Sequence, residues 1–434
     1  MPKIFNIDFS SVTTINSVSA STILNLENIS YTDDNTSMVL VGAFKGFDEY
    51  RSLITRLLPD GTEDNTFNVK DGFFTNNDMN DSSNNAGSTL EINKIKIDSD
   101  GNYYVVGTFY QYRGATYNRI IKLFPNGDVD TSFNSGLGFG NTIISFSNGV
   151  KDLIILSSGK LLVGGQFDLY NGVPVRSIVR LNTDGSIDNT FNINNNNYGD
   201  IVSMSTDSNG NIYYTKFFQV GKLLPNGDFD NTFIINNLNV FSGVGGDVYK
   251  LAVDQSDNIY VVGGFSTFSG ISANRIVKLT STGIKDNTFN YGSGFNNTVT
   301  NIIIDSFGKL YVRGFFSTYN GAANTVLIKL NGDGTKDTSF SNTSTLSSNN
   351  ASGLGALKLD QNNKLLFGGT LTTYISPTFV NAPIRINTNG SLDTTFSIYG
   401  NVSGGNQIIN DIEIDSNNNI IICGRFNSYK QPSC

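Results

Sequence analysis

An all-β ring of short antiparallel sheets is the expected architecture of this chain, on the strength of three observations. First, a twelve-residue motif occurs seven times: LLPDGTEDNTFN at 57–68, LFPNGDVDTSFN at 123–134, LNTDGSIDNTFN at 181–192, LLPNGDFDNTFI at 223–234, LTSTGIKDNTFN at 279–290, LNGDGTKDTSFS at 330–341 and INTNGSLDTTFS at 386–397. Second, the copies are separated by short alternating apolar/polar stretches bounded by Gly, Asn and Asp, the pattern of half-buried antiparallel strands. Third, no stretch of useful length has helical spacing.

Each unit reads as four segments. Segment a alternates and ends in Asp, as in KIKID (94–98), LAVD (251–254), IIID (302–305), LKLD (357–360) and IEID (412–415). After a tight turn comes segment b, such as NYYVVGTF (102–109), KLLVGGQF (160–167), NIYVVGGF (258–265) or KLYVRGFF (309–316). A polar loop leads to segment c, as in NRIIKL (118–123), RSIVRL (176–181) and NRIVKL (274–279). The twelve-residue motif then supplies a turn, with Gly where a hairpin needs positive φ, and a short segment d. Its aspartates Asp64, Asp130, Asp188, Asp230, Asp286, Asp337 and Asp393 are placed to accept backbone N–H groups in Asx-type turns, helped by the Ser or Thr two residues on. Its phenylalanines Phe67, Phe133, Phe191, Phe233, Phe289, Phe340 and Phe396 are placed to fill the seams between units, each burial contributing about 2–3 kcal/mol.

A four-stranded unit has two faces to bury and must stack on its neighbours; radial stacking closes the array as a β-propeller of four-stranded antiparallel blades. Segment b occurs eight times, at Phe44, Phe109, Phe167, Phe217, Phe265, Phe315, Thr370 and Phe426, whereas the segment-d terminus occurs seven times. The last unit stops at FNSYKQPSC, and the chain opens with an orphan strand, PKIFNIDFS. The expectation is therefore one body over 1–434 with eight blades, the N-terminal strand completing the last. Its units are 18–68, 90–134, 144–192, 197–234, 244–290, 294–341, 350–397 and 402–434 plus 1–12. Seven blades is the alternative.

The patterns L-x-x-[DN]-G-x-x-D-x-[ST]-F and, before it, I-x-[IV]-D-S-x-G-[NK]-[ILY]-[YL]-V-x-G-x-F resemble the delta-60 repeat family of β-propellers, from about residue 22 to 429. Unit 197–234 departs most, since NIYYTKFFQVGKLLPNG lacks the polar loop and a full segment c. The resemblance implies a propeller of bacterial surface proteins or tailed-phage virion proteins, with no enzymatic activity.

Composition narrows the chemistry. The 434 residues carry a net charge of −8 with 15% charged residues and no Lys/Arg cluster, so no nucleic-acid partner is expected. No apolar run is long enough to span a membrane, and MPKIFNIDFSSVTTINSV lacks the apolar centre of a signal peptide, so Sec export is not expected. There is no His, which removes His-based triads and imidazole ligands. Of the two cysteines, Cys423 lies in the apolar IIICGRF and reads as a buried small hydrophobe, and Cys434 is terminal. The acidic turns NTDGSID (182–188) and PDGTED (59–64) lack the spacing of a calcium loop, so no metal or cofactor is expected. The periodic bases Arg56, Lys122, Arg180, Lys222, Lys278, Lys329 and Arg385 are expected to face solvent by alternation. No catalytic residue is assigned; acids outside the repeat, such as Glu49, Glu63 and Glu91, are isolated.

One end of the ring should carry the short a–b and c–d turns and the other the b–c and d–a connections, where the length variation falls: 68–89, 192–200 and 341–353. On that looped face an aromatic follows the segment-b Phe or its equivalent by three residues, or by four from Phe315 and Thr370: Phe47, Tyr112, Tyr170, Phe268, Tyr319 (three from Phe316), Tyr374 and Tyr429. Each either packs beneath its own loop or joins a circle that binds sugars or a partner protein. The functional expectation is a non-catalytic structural or attachment part of a tailed-phage virion, in contact with other virion proteins or a host surface glycan or receptor. The alternatives are a carbohydrate-active enzyme with paired carboxylates at the central axis and a bacterial cell-surface adhesin.

Overall fold

The computed structural model describes residues 5–8, 23–31, 37–44, 54–62, 64, 66–67, 72–74, 91–140, 149–191, 199–233, 241–243, 246–324, 326–341, 351–352, 355–368, 370–371, 383–396, 401–403, 408–425 and 428–430. Where the repeat reading expects one body, the chain divides into two compact units, Met1–Tyr50 and Arg51–Cys434. The first is an antiparallel sheet in which β1 (Phe5–Asp8) and β2 (Ile23–Tyr31) flank β3 (Ser37–Phe44).

In the second unit six consecutive sheets have the same three-stranded meander. They are β5 (Ile92–Ile97), β6 (Tyr103–Gly107) and β7 (Ile120–Leu123); β8 (Gly149–Ile155), β9 (Leu161–Gln166) and β10 (Ile178–Leu181); and β11 (Ile201–Thr206), β12 (Ile212–Lys216) and β13 (Gln219–Leu223). There follow β14 (Val248–Val253), β15 (Ile259–Gly263) and β16 (Ile276–Leu279); β17 (Val299–Ile304), β18 (Leu310–Gly314) and β19 (Leu327–Leu330); and β20 (Leu357–Leu359), β21 (Leu365–Phe367) and β22 (Ile384–Ile386). The seventh sheet joins the two ends of the unit: β23 (Ile408–Ile414), β24 (Ile420–Arg425) and, as third strand, β4 (Ile54–Leu57). The first strands neighbour one another in a closed cycle, β5, β8, β11, β14, β17, β20, β23 and back to β5. The chain is a β-propeller, and the described residues supply seven blades.

Two expectations are corrected here. The strand completing the last blade is not 1–12 but Ile54–Leu57, with Cys423 opposite Ile54 and Ile420 opposite Leu57, while Phe5–Asp8 pairs with Ser37–Leu40 in the other unit. Unit 18–68 is thus split, its segment c closing the ring. The reason is that segment c of the first copy (ITRL) is the true equivalent of IIKL and IVRL, a better match than FNID. The blades also have three strands, not four. Segment d makes only a single bridge to segment c, as in Leu123 with Val129 and Leu181 with Ile187, and then turns away. Its turn glycines do take the expected positive φ, 88° at Gly61 and at Gly185.

Seven hydrophobic clusters occupy the seven seams. The closing seam sets Ile54, Phe67, Ile421 and Cys423 against Ile92, Ile95, Tyr103 and Val105. All seven repeat phenylalanines are buried, as placed by the motif.

The periodic bases do not face solvent. Arg56, Lys122, Arg180, Lys222, Lys278 and Arg385 each pair with the repeat Asp eight residues on, at 2.6–3.3 Å. Lys329 instead lies near Asp305, and Lys309 takes Asp337. What stands across the strand decides the base. Lys122, Lys222, Lys278 and Lys329 are opposite Tyr104, Tyr213, Tyr260 and Tyr311 and sit over those rings at 4.8–5.5 Å. Arg56, Arg180 and Arg385 are opposite Ile421, Leu162 and Leu366 and stack instead on Phe67, Phe191 and Phe396 at 4.8–5.2 Å. Each arginine also donates across the seam, to the carbonyl of Pro125, Pro225 or Pro59 in the next blade's turn. Alternation correctly placed these side chains off the apolar face, but the aromatic beside them and the neighbouring blade cover them. Arg180→Lys is therefore expected to cost about 1–2 kcal/mol in urea unfolding, since a lysine keeps the charge but not the fork. Adding Leu162→Tyr should recover part of that loss in a double-mutant cycle.

Candidate functional site

The looped-face aromatics divide into those the structure describes and those it does not. Phe47 and Tyr374 lie outside the described residues; Tyr429 is described in backbone only, its strand (Ser428–Lys430) pairing with Asn401–Ser403. Tyr112, Tyr170, Phe268 and Tyr319 are buried, not displayed. Each sits in a b–c hairpin that pairs with the connection entering from the previous blade, as Phe139–Gly140, Leu169–Tyr170 and Val173–Pro174 do. The result is an aromatic trio per hairpin, Phe139 with Phe167 and Tyr170 at 4.5 and 4.7 Å, repeated as Phe73/Phe109/Tyr112, Phe241/Phe265/Phe268 and Phe295/Phe316/Tyr319. The Tyr112, Tyr170 and Tyr319 hydroxyls donate to the carbonyls of Gly127, Gly185 and Gly334. These four residues are packing. The first ring had a signal in the sequence in three of the four trios: a Gly-Phe step at 72–73, 138–139 and 294–295, with the glycine at positive φ; Phe241 follows Val240.

The polar groups that converge lie instead on the first strands, around the axis. Six of these strands carry a β-bulge at the same place, for example between Ile92 and Lys94 and between Val150 and Asp152. A bulge re-aims a side chain and frees ladder groups. The equivalent position is Lys94, Asp152, Ser203, Lys250, Asn301, Ala356 and Asp411 in successive blades; two residues on, Lys96, Lys358 and Glu413 form a second layer.

Inner edge strands have open main-chain groups, and these side chains satisfy them across the seams. Asp411 accepts from Ile95 N at 3.0 Å, Asp152 from Met204 N at 2.7 Å, and Ser203 from Leu251 N at 3.4 Å. Asn93, Asn301 and Asn410 donate to Val150 O, Gly355 O and Ile92 O. Lys94 pairs with Asp411 at 3.0 Å, and Glu413 takes both Lys96 and Lys358. Burial opposes ionisation of Glu413, but these lysines overcome it and hold its carboxyl well below the usual range. Near Lys151, Asp200 is the one aspartate among the described residues pushed up, by burial, and its Oδ1 has no hydrogen-bond partner.

The fold and this axis define the class of protein: a repeat-built β-propeller. Five segments, 99–133, 156–191, 255–289, 308–340 and 361–396, match the family described as "Domain of unknown function (DUF5122) beta-propeller". Each match runs from the a–b turn to the repeat Phe; the blade with the short b–c link and the blade shared by the two ends are unmatched. No curated protein matches the sequence.

Among solved structures the chain is similar to virginiamycin B lyase from Staphylococcus aureus, at 12% identity and TM-score 0.45, covering 76% of this chain and 93% of that one. It is also similar to the WD40 propeller domain of Doa1, at 15% identity and TM-score 0.45, covering 80% and 95%. A third is a chain described as the extracellular domain of a one-component system from B. thetaiotaomicron, at 14% identity and TM-score 0.46; the match covers 79% of this chain and only 39% of that one.

Proposed function

We propose that the chain is a non-catalytic structural or attachment component of a tailed-phage virion, in the tail, baseplate or a fibre. In this reading a propeller of the delta-60 repeat type is a scaffold that contacts neighbouring virion proteins or a host surface glycan. The observation that carries the reading is how the axial side chains are used. Asp152, Asp411 and Glu413 are the carboxylates that an enzymatic site at the axis would need, and all three are engaged in joining blades. Glycoside cleavage needs one carboxyl held protonated opposite a second that acts on the substrate. Glu413 is held ionised, and the charge acting on the raised Asp200 is a lysine. The resemblance in the repeat motif supports the virion setting, as does a His-free chain rich in Asn.

Mass spectrometry of purified particles tests the proposal. A stoichiometric amount of this chain in the particle is the expected result, and its absence from particles overturns the virion reading. Hydrolysis of any member of a glycoside panel, abolished by Asp200→Asn, overturns the non-catalytic one.

A further inference from the structure

The axial layers do not balance. Lys94, Lys96, Lys250 and Lys358 face Asp152, Asp411 and Glu413, an excess of positive charge at the centre of a chain whose net charge is −8. Three of the lysines have carboxylate partners. Lys250 has none among the described residues, although it feels Asp152 and Lys94 and, across the axis, Asp411 and Lys96. Asp152 turns its two oxygens to the main-chain N–H groups of Leu153 and Met204 and makes no ion pair with Lys250. On the next blade Asn301 holds the equivalent position; its amide nitrogen is committed to Gly355 O, and its buried Oδ1 has no partner.

The axial lysines are partly accessible to solvent. Lys94, Lys96 and Lys358 keep 17%, 28% and 34% of their side-chain surface accessible, although they stand on the innermost strands. Lys250 is half-buried; an ammonium partly withdrawn from water with no counter-charge is costly, and an unpaired acceptor on the next blade costs further.

We propose that the axial channel binds a small oxyanion, with Lys250 as its principal ligand, Lys94 and Lys96 adding to the field, and Asn301 Oδ1 accepting from a protonated oxygen of the guest. The chemical class is a hydrogen-bearing oxyanion: hydrogen phosphate, or a small hydroxycarboxylate. Such a group supplies what both orphans lack, negative oxygens for the ammonium and an O–H for the amide oxygen. Burial and the other lysines push the Lys250 ammonium towards deprotonation, with Asp152 and Asp411 opposing, so an anion that restores its charge balance also stabilises the ring.

The test uses the full chain at neutral pH, titrated with inorganic phosphate and, separately, with malate, against potassium chloride at matched ionic strength. The readouts are melting temperature and phosphorus NMR linewidth. A saturating rise in melting temperature with phosphate or malate, absent with chloride, is expected, and the responding arm identifies the class of guest. Lys250→Met should weaken binding by about tenfold or more, while melting no lower than the parent in anion-free buffer because it removes an unpaired charge. Three results overturn the proposal: no saturating response to either anion, an equal response to chloride, or an undiminished response in Lys250→Met. Should Lys250→Met fail to fold, Lys250→Gln replaces it with the same readings.

Discussion

A chain starting at Arg51 is expected to unfold cooperatively, whereas one starting at residue 68 is expected not to fold stably. The seventeen residues between include the whole of the closing strand and its repeat Phe. Ile54 and Leu57 are fully buried and Phe67 is 7% exposed. Losing all three removes about 6–8 kcal/mol of apolar burial. That is comparable with the entire stability of a typical domain, about 5–15 kcal/mol. The loss is also topological: β24 becomes an open edge over Ile420–Cys423, a template for aggregation, and the seam holding Ile92, Ile95 and Tyr103 loses one wall. Arg385 loses its acceptor, Pro59 O, so the preceding seam weakens too. Urea unfolding and size-exclusion chromatography of the two truncated chains check this. Equal midpoints would mean that the ring is held elsewhere. Shortening the chain by residues 1–12 alone removes no ring strand, contrary to what the N-terminal closure expected from sequence would predict.

The second large effect is acid sensitivity. All seven repeat aspartates are held below the usual carboxylate range. In six of them burial is the largest influence and acts upward. It is outweighed by bonds from the Ser or Thr two residues on and from the paired base; at Asp286 the Thr288 hydroxyl is the largest influence. The hydroxyl bonds are short, 2.5–2.7 Å, and each Asp also accepts the same residue's amide.

A carboxyl with a depressed folded value contributes stability that is complete above its unfolded value, near pH 4, and is lost as pH falls through the folded one. Each unit of depression is worth about 1.4 kcal/mol, and there are seven sites. The melting temperature should therefore be flat above about pH 5 and fall steeply below about pH 4. Asp188→Asn and Asp393→Asn, at the two most depressed sites, should flatten that slope while lowering stability at neutral pH. A slope unchanged by both substitutions would place the acid sensitivity outside the repeat.

Much of this molecule is written locally. Gly61 and Gly185 adopt positive φ because a tight turn after Leu57 and Leu181 permits little else, and the motif shows it. Asp188 and Thr190 form their turn within three residues, so spacing alone reveals it. Phe191, Phe289 and Phe396 are buried because each ends an alternating segment with an apolar ring. The axial site was harder to read. KIKID and IEID look like ordinary half-exposed strands, and only the bulges at Lys94 and Asp411 turn their charges toward each other across 317 residues of chain. Tyr112 and Tyr170 were visible as a periodic set, but whether they faced outward depended on hairpins that pair with the preceding blade.

By itself the sequence determined the repeat, the strands, the turn chemistry and the propeller, because hydrogen bonds and apolar alternation within some fifty residues specify them. The tertiary structure alone decided which strand closes the ring, that segment d stops at one bridge, and which bases are covered. It also decided that the lysines and carboxylates of distant repeats share one axis. These outcomes depend on pairing between segments hundreds of residues apart, where several near-identical repeat strands compete and burial against the neighbouring blade selects among them.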